Sequence, residues 1–268
     1  EFDEILGGGM ILGNVYGAIG HPKTKKSIYA KWIACGAAEG GIQVAFWNGE
    51  EGEMQFLSKI TKHELSIDIT EYIENGDQEK IKLTIEELQK KLKNNFYLIS
   101  ESGFSAKDIQ DHVEFVRIQH KKDIRLVVID GISHMQDMKH DEIKSAIENS
   151  KLLKECAKAA NVAILVLIHL SGDSDKHFRN AVKFVRGGRK MEANLDASFS
   201  TSLCIDPVKT SLEDIIYKPE LAYIRCEDKR STGMIADKVI VLKDPLSIEI
   251  SPLKAKDFDV DVNIKARN

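Results

Sequence analysis

The sequence is poor in cysteine and has no long hydrophobic run. Its four cysteines are widely spaced and form no C-x-x-C pair: Cys35, Cys156, Cys204 and Cys226. This spacing favours free thiols in a reducing compartment over disulfides or a cysteine metal site. The longest apolar run, at 162–168, is too short to cross a bilayer. We therefore expect a cytoplasmic protein with no membrane partner.

An excess of charge of one sign is also missing. Lys and Arg number 38 and Asp and Glu number 42, which leaves a net charge of −4. A protein coated with nucleic acid is not expected to be acidic overall, so any such contact must come from a local patch. The 268 residues, 43% of them hydrophobic, suffice for one large or two small domains.

Predicted strands and helices alternate along most of the chain, and this order predicts a mostly parallel sheet covered by helices. The predicted strands are 14–19, 43–47, 96–100, 125–130 and 162–168. The predicted helices are 27–34, 51–62, 78–93, 106–120 (with an apolar stripe at Ile109, Val113, Phe115 and Val116) and 141–160, while 66–76 has no clear pattern. Shorter strands at 199–205, 221–226, 238–242 and 247–250 predict an antiparallel C-terminal extension of the sheet.

Residues 20–27 read GHPKTKKS, one residue away from the phosphate-binding pattern G-x-x-x-x-G-K-[ST]. Gly20, Lys26 and Ser27 occupy their expected positions, and Lys25 stands in place of the second glycine. A strand, a turn and a helix in this order point backbone N–H groups and a helix N-terminus at an anion. Lys26 would then reach the β- and γ-phosphates of ATP, and Ser27 would hold Mg²⁺.

An ordinary strand–turn–helix unit with a basic start is the alternative interpretation of this segment. Basic residues at a helix start oppose the helix dipole unless an anion is bound, so the lysines favour a bound phosphate. Lys25 carries a side chain where glycine normally lets the backbone approach the phosphate closely, so binding or hydrolysis could be weakened. The remaining residues of the predicted nucleotide-binding loop are His21, Pro22, Lys23 and Thr24.

Polar residues end or closely follow three of the predicted strands, and in such sheets these ends lie where ligands bind. Asp130 fits the strand whose carboxylate holds the Mg²⁺ shell, or it caps the following turn. Glu50 or Glu51 could activate a water molecule, or the two could be a solvated loop pair. His169 could touch the γ-phosphate, or it could be a satisfied core histidine.

One basic segment stands out in an otherwise acidic chain. Residues 176–190 contain six Lys or Arg and no acid, with two phenylalanines between them. Basic side chains neutralise phosphates and aromatic rings stack on bases, so the segment predicts contact with single-stranded DNA. A basic surface loop is the alternative. The predicted DNA-binding residues are Lys176, Arg179, Lys183, Arg186, Arg189 and Lys190.

Taken together, these motifs resemble the RecA-like ATPase domain of hexameric replicative DNA helicases, the DnaB and phage primase-helicase family. The lead-in FDEILGGG at 2–9 and the strand VAFWNGE at 44–50 are similar to family segments. Further similar segments, in order, are 97–116, 127–135, 168–170, 185–188, 195–198 and 229–233. The resemblance covers nearly the whole chain.

The resemblance implies a single RecA-like domain over 1–268, with a lead-in at 1–13, a nucleotide-binding core at 14–200 and C-terminal strands at 201–268. It selects Glu50 over Glu51 as the general base and makes His169 the sensor of the γ-phosphate. Arg230 would act in trans on the nucleotide of a neighbouring subunit. The expected activity is an ATP- and Mg²⁺-dependent helicase motor that forms a homo-oligomeric ring, a hexamer, on single-stranded DNA.

Two positions depart from the family pattern. Lys25 replaces the loop glycine, and Asp228 stands where a basic residue often precedes the arginine finger, so Arg225 could serve instead of Arg230. The alternative function is a RecA-like nucleotide- or DNA-binding module, or a recombinase-type relative, with weak or absent hydrolysis.

Overall fold

A computed structural model describes residues 8–20, 26–136, 142–169, 190–191, 193–205, 217–229, 240–242 and 250–252. Within these ranges the strands are β1 (Val15–Gly20), β2 (Gln43–Asn48), β3 (Phe96–Ile99), β4 (Ile124–Asp130), β5 (Ala163–His169), β6 (Ala197–Ile205), β7 (Tyr217–Lys229), β8 (Ile240–Leu242) and β9 (Ile250–Pro252). The helices are α1 (Lys26–Glu39), α2 (Glu53–Leu65), α3 (Thr70–Glu74), α4 (Gln78–Lys91), α5 (Ala106–His120) and α6 (Glu142–Ala160), with a short 3₁₀ helix at Ile132–His134.

The main sheet has the strand order β3-β2-β4-β5-β1-β6-β7. The first six strands in this order pair in parallel, and β7 pairs antiparallel with β6. Strands β8 and β9 form a separate antiparallel pair. Parallel neighbours need long crossover connections, which the helices supply. The predicted fold class, a mostly parallel sheet flanked by helices, is confirmed.

Each face of the sheet buries its own apolar core, because successive strand residues point to opposite faces. On one face, Trp47 and Val127 pack with residues of α5 and α6, such as Val113 and Leu153. On the other face, strand residues pack with α1, α2 and α4 through side chains that include Phe46, Tyr29, Phe56 and Leu88. The strands are therefore covered on both sides, as their continuous apolar runs predict.

Helix α5 shows where the sequence pattern succeeds and where it fails. Ser105 caps the helix, and Asp108 completes a capping box, since each side chain accepts a hydrogen bond from the backbone N–H of the other residue. Ile109, Val113 and Val116 are buried as predicted, but Phe115 is 54% exposed, so its place in the apolar stripe was wrong. A residue adjacent to Val116 is turned about 100° away from it around a helix.

No helix in the described ranges is long and apolar enough to cross a membrane.

Candidate nucleotide-binding site

The candidate site lies at the carboxyl ends of the central strands. Gly20 at the end of β1 is in register with His169 at the end of β5. Asn48 at the end of β2 is likewise in register with Asp130 at the end of β4. Because β5 pairs with both β1 and β4, all four strand ends lie along one edge of the sheet.

Helix α1 begins at this edge with Lys26 and Ser27. Lys26 is buried, and its Nζ donates to the carbonyl oxygen of Gly20 at 2.8 Å. Burial lowers the pKa of Lys26 to about 8, while the negative charges of Glu50 and Asp130 oppose this shift. The ammonium group therefore stays largely protonated at neutral pH, as the recognition of a phosphate requires.

Asp130 is almost completely buried at the end of β4. The Oγ of Ser27 donates to its Oδ1 at 3.0 Å, and its Oδ2 has no hydrogen-bond partner among the described residues. Burial and, to a smaller extent, the charge of Glu50 raise the pKa of Asp130 to about 6, against the opposing effects of the Lys31 charge and the Ser27 hydroxyl. A buried carboxylate oxygen without a partner calls for an explanation, and a bound cation is one.

A magnesium ion fits this donor set. Mg²⁺ prefers oxygen ligands and usually takes only one or two carboxylates, with water and phosphate oxygens completing the octahedron. Ser27 and Asp130 supply a hydroxyl and a carboxylate side by side. The described part of the chain holds no group of three or more His, Cys, Asp or Glu residues that could bind a metal. Any magnesium bound by Ser27 and Asp130 would therefore need water or a ligand's phosphate oxygens.

Glu50 lies beside the same edge, in contact with two histidines. Its Oε1 is 2.6 Å from His169 Nε2 and 3.8 Å from His134 Nε2. The hydrogen bond with His169 lowers the pKa of Glu50, and the charges of both histidines and of Lys26 lower it further against the effect of burial. Glu50 is therefore ionised at neutral pH, which is the state in which a carboxylate accepts a proton.

The sequence analysis missed His134, which the 3₁₀ helix after β4 places against Glu50. Two glycines make room for it. A Cβ added at Gly49 would come within 2.8 Å of His134 Cβ, and one added at Gly131 within 2.6 Å of His134 Cδ2. Gly131 also has a φ of +96°, which favours glycine. The signal available in the sequence was Gly131, which directly follows Asp130, and His134 three residues after that glycine.

The sequence analysis chose Glu50 over Glu51 and assigned Glu51 no role. The side chain of Glu51 is the more buried of the two. Its carboxylate forms ion pairs with Lys31 of α1 and Lys59 of α2. Lys31 is completely buried, and burial lowers its pKa, as does the positive charge of Lys59. A lysine among the apolar residues of α1 was the signal for this contact, since a buried lysine requires a partner.

Several predicted site residues lie outside the described residues, so their roles stay predictions. Lys190 is described, has helical conformation and is exposed. The structure brings together Gly20, Lys26, Ser27, Glu50, Asp130 and His169. The predicted residues outside the description are His21, Pro22, Lys23, Thr24, Lys25, Lys176, Arg179, Lys183, Arg186, Arg189 and Arg230.

The fold is similar to that of solved helicase domains. The structure titled "ATPase Domain of G40P" matches with a TM-score of 0.74 and 15% identity, over 94% of this chain and 89% of that chain. "The Structure Of A DnaB-Like Replicative Helicase And Its Interactions With Primase" matches with a TM-score of 0.74 and 16% identity, over 94% of this chain and 60% of that chain. These likenesses confirm the RecA-like architecture.

Sequence comparison gives the family. No curated protein matches the chain. The family model described as "DnaB-like helicase C terminal domain" matches residues 1–181, which include β1 to β5 and every described residue of the candidate site. The resemblance to replicative helicases is thereby confirmed, and the chain belongs to the family of DnaB-like helicase C-terminal domains.

Proposed function

We propose that this chain is the ATP-hydrolysing motor domain of a replicative DNA helicase. The observation that carries the proposal is the convergence at one sheet edge of a buried lysine, a Ser27–Asp130 pair with an unpartnered carboxylate oxygen, and the ionised Glu50. These are the groups that hydrolysis of a nucleoside triphosphate requires. We propose further that the motor occupies residues 1–268 as one domain and works as a hexameric ring.

In the proposed mechanism, Lys26 neutralises charge on the β- and γ-phosphates of ATP. Ser27 and Asp130 would hold Mg²⁺, and the ion would neutralise charge that develops on the phosphate oxygens. Glu50 accepts a proton from the attacking water molecule, and the oxygen of that water bonds to the γ-phosphorus. The bond from that phosphorus to the bridging oxygen breaks, and ADP leaves with the electron pair.

His169 suits the proposed role of γ-phosphate sensor because it contacts the proposed base directly. Its Nε2 is hydrogen-bonded to Glu50, and its Nδ1 is buried with no partner among the described residues. Loss of the γ-phosphate would therefore change the surroundings of the His169 ring and of the Glu50 carboxylate together. Strand β5 then leads towards residues 176–190, whose six basic residues we propose grip single-stranded DNA during translocation and unwinding.

Arg230 remains a proposal of the family resemblance. It would reach the nucleotide of a neighbouring subunit and neutralise charge in the transition state, which can raise the rate about 10³–10⁵-fold. Gel filtration with nucleotide and single-stranded DNA tests the ring. A ring whose ATP turnover falls when Arg230→Ala subunits are mixed with wild-type subunits would support action in trans.

An ATPase assay with and without single-stranded DNA tests the motor. We expect DNA-stimulated turnover that falls by about 10²–10⁴ in Glu50→Gln. Lys26→Ala should also abolish turnover by weakening the binding of ATP. Matched controls are Glu53→Gln and Lys82→Ala, since both residues are exposed. DNA-stimulated turnover that persists in Glu50→Gln would contradict the assignment of the base.

The second candidate is a nucleotide- or DNA-binding module that hydrolyses poorly, and Lys25 favours it. A side chain at this loop position opposes close approach of the backbone to phosphate. Undetectable turnover by a folded protein that still binds ATP would support the module. A rise in turnover in Lys25→Gly would then identify this side chain as the cause.

A further inference from the structure

Glu50 and Glu51 are neighbours in the chain whose carboxylates have different partners. Glu50 contacts His169 at the carboxyl edge of the sheet. Glu51 contacts Lys31 and Lys59, and its side chain is only 12% exposed, against 29% for Glu50. One carboxylate therefore faces the candidate site, and the other is held by two helices.

Lys31 connects Glu51 to the start of α1. It lies one helical turn after Ser27 and is completely buried. Its Nζ also lies 4.4 Å from the centroid of the Phe56 ring on α2. A buried ammonium group is costly unless an anion and further favourable contacts compensate for its lost hydration, and Glu51 and the ring supply them.

The short turn between β2 and α2 is fixed at its other end by Asn48. Asn48 is 2% exposed, and its Nδ2 donates to the carbonyl oxygen of Glu51 at 2.7 Å. The backbone N–H of Glu51 in turn donates to Asn48 Oδ1 at 3.4 Å. The residues on both sides of Glu50 are therefore fixed. The sheet holds Asn48, the Asn48 side chain holds the backbone of Glu51, and the two lysines hold the Glu51 carboxylate.

We propose that Glu51 is a positioning residue, which fixes the Glu50 carboxylate relative to the helix that begins at Lys26, through ion pairs with Lys31 and Lys59. The inference rests on the proposed role of Glu50 as general base. It adds a coupling between two parts of the site: the helix that would hold phosphate and Mg²⁺, and the loop that would deliver the base. Displacement of a catalytic group by about 1 Å can cost about 10²-fold in rate, so such an anchor has a kinetic effect.

The decisive measurement is the effect of Glu51→Gln on kcat and on KM separately. We expect kcat to fall by about 10-fold or more, with KM for ATP and the affinity for ADP changed by less than about 2-fold. Glu53→Gln is the matched control, because Glu53 is the next acidic residue and is exposed. Equal kcat in Glu51→Gln and wild type would overturn the inference.

A double variant separates positioning from folding. Glu51→Gln leaves the Lys31 ammonium buried without its anion, so it also lowers the melting temperature. Lys31→Met combined with Glu51→Gln removes both charges and should restore much of the melting temperature while kcat stays low. If kcat recovers together with stability, Glu51 has only a structural role and the inference is wrong.

Lys59→Met decides the question if the Glu51 variants do not fold. The side chain of Lys59 is 40% exposed and its loss leaves the Lys31–Glu51 pair in place. A lower kcat with unchanged KM supports the anchor, and wild-type kinetics rule out the part of it that is assigned to Lys59. Failure of the proposed function is distinguishable: turnover retained by Glu50→Gln would refute the base, whereas turnover lost in Glu50→Gln with an unchanged kcat in Glu51→Gln would refute the anchor alone.

Discussion

At the amino edge of the sheet Lys154 and Asp196 are well paired, whereas at the carboxyl edge Asp130 keeps a buried oxygen without a described partner. Lys154 Nζ donates to Gly13 O and Asn14 Oδ1, each at 3.1 Å, and also to Asp196 Oδ2. The same carboxylate oxygen accepts the backbone N–H of Val15 at 2.8 Å. Both edges thus hold partly or fully buried charges, but the Lys154–Asp196 pair has further polar partners among the described residues, whereas Asp130 Oδ2 has none.

The two edges differ in how completely their buried carboxylates are paired with described residues. Nearly all buried polar groups in native proteins have a partner, so each exception calls for an explanation. Asp130 Oδ2 and His169 Nδ1 are two of the exceptions within the described residues, and both belong to the proposed ATP site, whereas others, such as His112 Nε2 and the Asn149 amide, belong to the covering helices. The amino-edge cluster joins α6 to the start of β1 and to the residue before β6.

The largest effect is expected from Asp130→Asn. Asparagine keeps the size of the side chain and can still accept from Ser27, but it lacks the charge that would hold Mg²⁺. We expect ATP turnover to fall by about 10² or more, since a metal contributes several kcal/mol to transition-state stabilisation. Turnover is measured across a magnesium titration. Wild-type turnover at every magnesium concentration would show that the unpartnered oxygen is not part of the metal site.

The same variant should be more stable than wild type at neutral pH. The pKa of Asp130 is raised to about 6 in the folded protein, from 3.8, so its proton stabilises the fold, and that stability is lost as pH rises through 6. Ionised Asp130 therefore costs about 1–3 kcal/mol at pH 8, and asparagine avoids this cost. Melting temperatures in EDTA should favour Asp130→Asn at pH 8, and the gap should shrink towards pH 5. A less stable variant at pH 8 would contradict this account.

The converse result is expected at the amino edge. Lys154→Met removes the cation and leaves Asp196 with only part of its pairing, which should lower the free energy of unfolding by about 1–3 kcal/mol. ATP turnover per folded molecule should stay within about 2-fold of wild type. Lys151→Met is the matched control, because Lys151 lies one turn earlier on α6 and is 69% exposed. A large loss of kcat in folded Lys154→Met would break the contrast between the edges.

The strands and most helices were predictable from the sequence because their signals are local. Continuous Val, Ile and Leu runs gave β4 and β5, and the polar residues that we expected at their carboxyl ends, Asp130 and His169, lie there. Helix α3 was not predicted, since none of its five residues is buried and it carries no apolar stripe. Phe115 was misjudged because its neighbour Val116 has the same apolar character, and only the packing of the helix decides between them.

The supporting residues of the site could not be predicted because they depend on contacts between distant segments. Lys31 and Glu51 are 20 positions apart, and no local pattern announces their ion pair. His134 reaches Glu50 only because β2 and β4 are neighbours in the sheet and two glycines leave room. Helix and strand periodicity indicates which face of an element is buried. To predict these contacts one must also know the order of the strands in the sheet.

The smallest effect is expected from His134→Gln, which tests how far the carboxyl edge depends on packing beside the base. Glutamine cannot fill the space against Gly49 and Gly131 as a ring does, so Glu50 loses support on one side. We expect kcat to fall by about 3–10-fold, a modest loss of orientation.

The pH dependence of kcat in His134→Gln distinguishes an effect of the His134 charge from an effect of its packing. A positive charge on His134 helps to lower the pKa of Glu50, so its removal should shift the acid limb of the kcat profile to higher pH, because the base is then protonated at a higher pH. His120→Gln on α5 is the matched control, since His120 is exposed. A lower kcat with an unshifted acid limb would mean that His134 acts through packing alone, and an unchanged kcat would mean that His169 by itself suffices to hold the base.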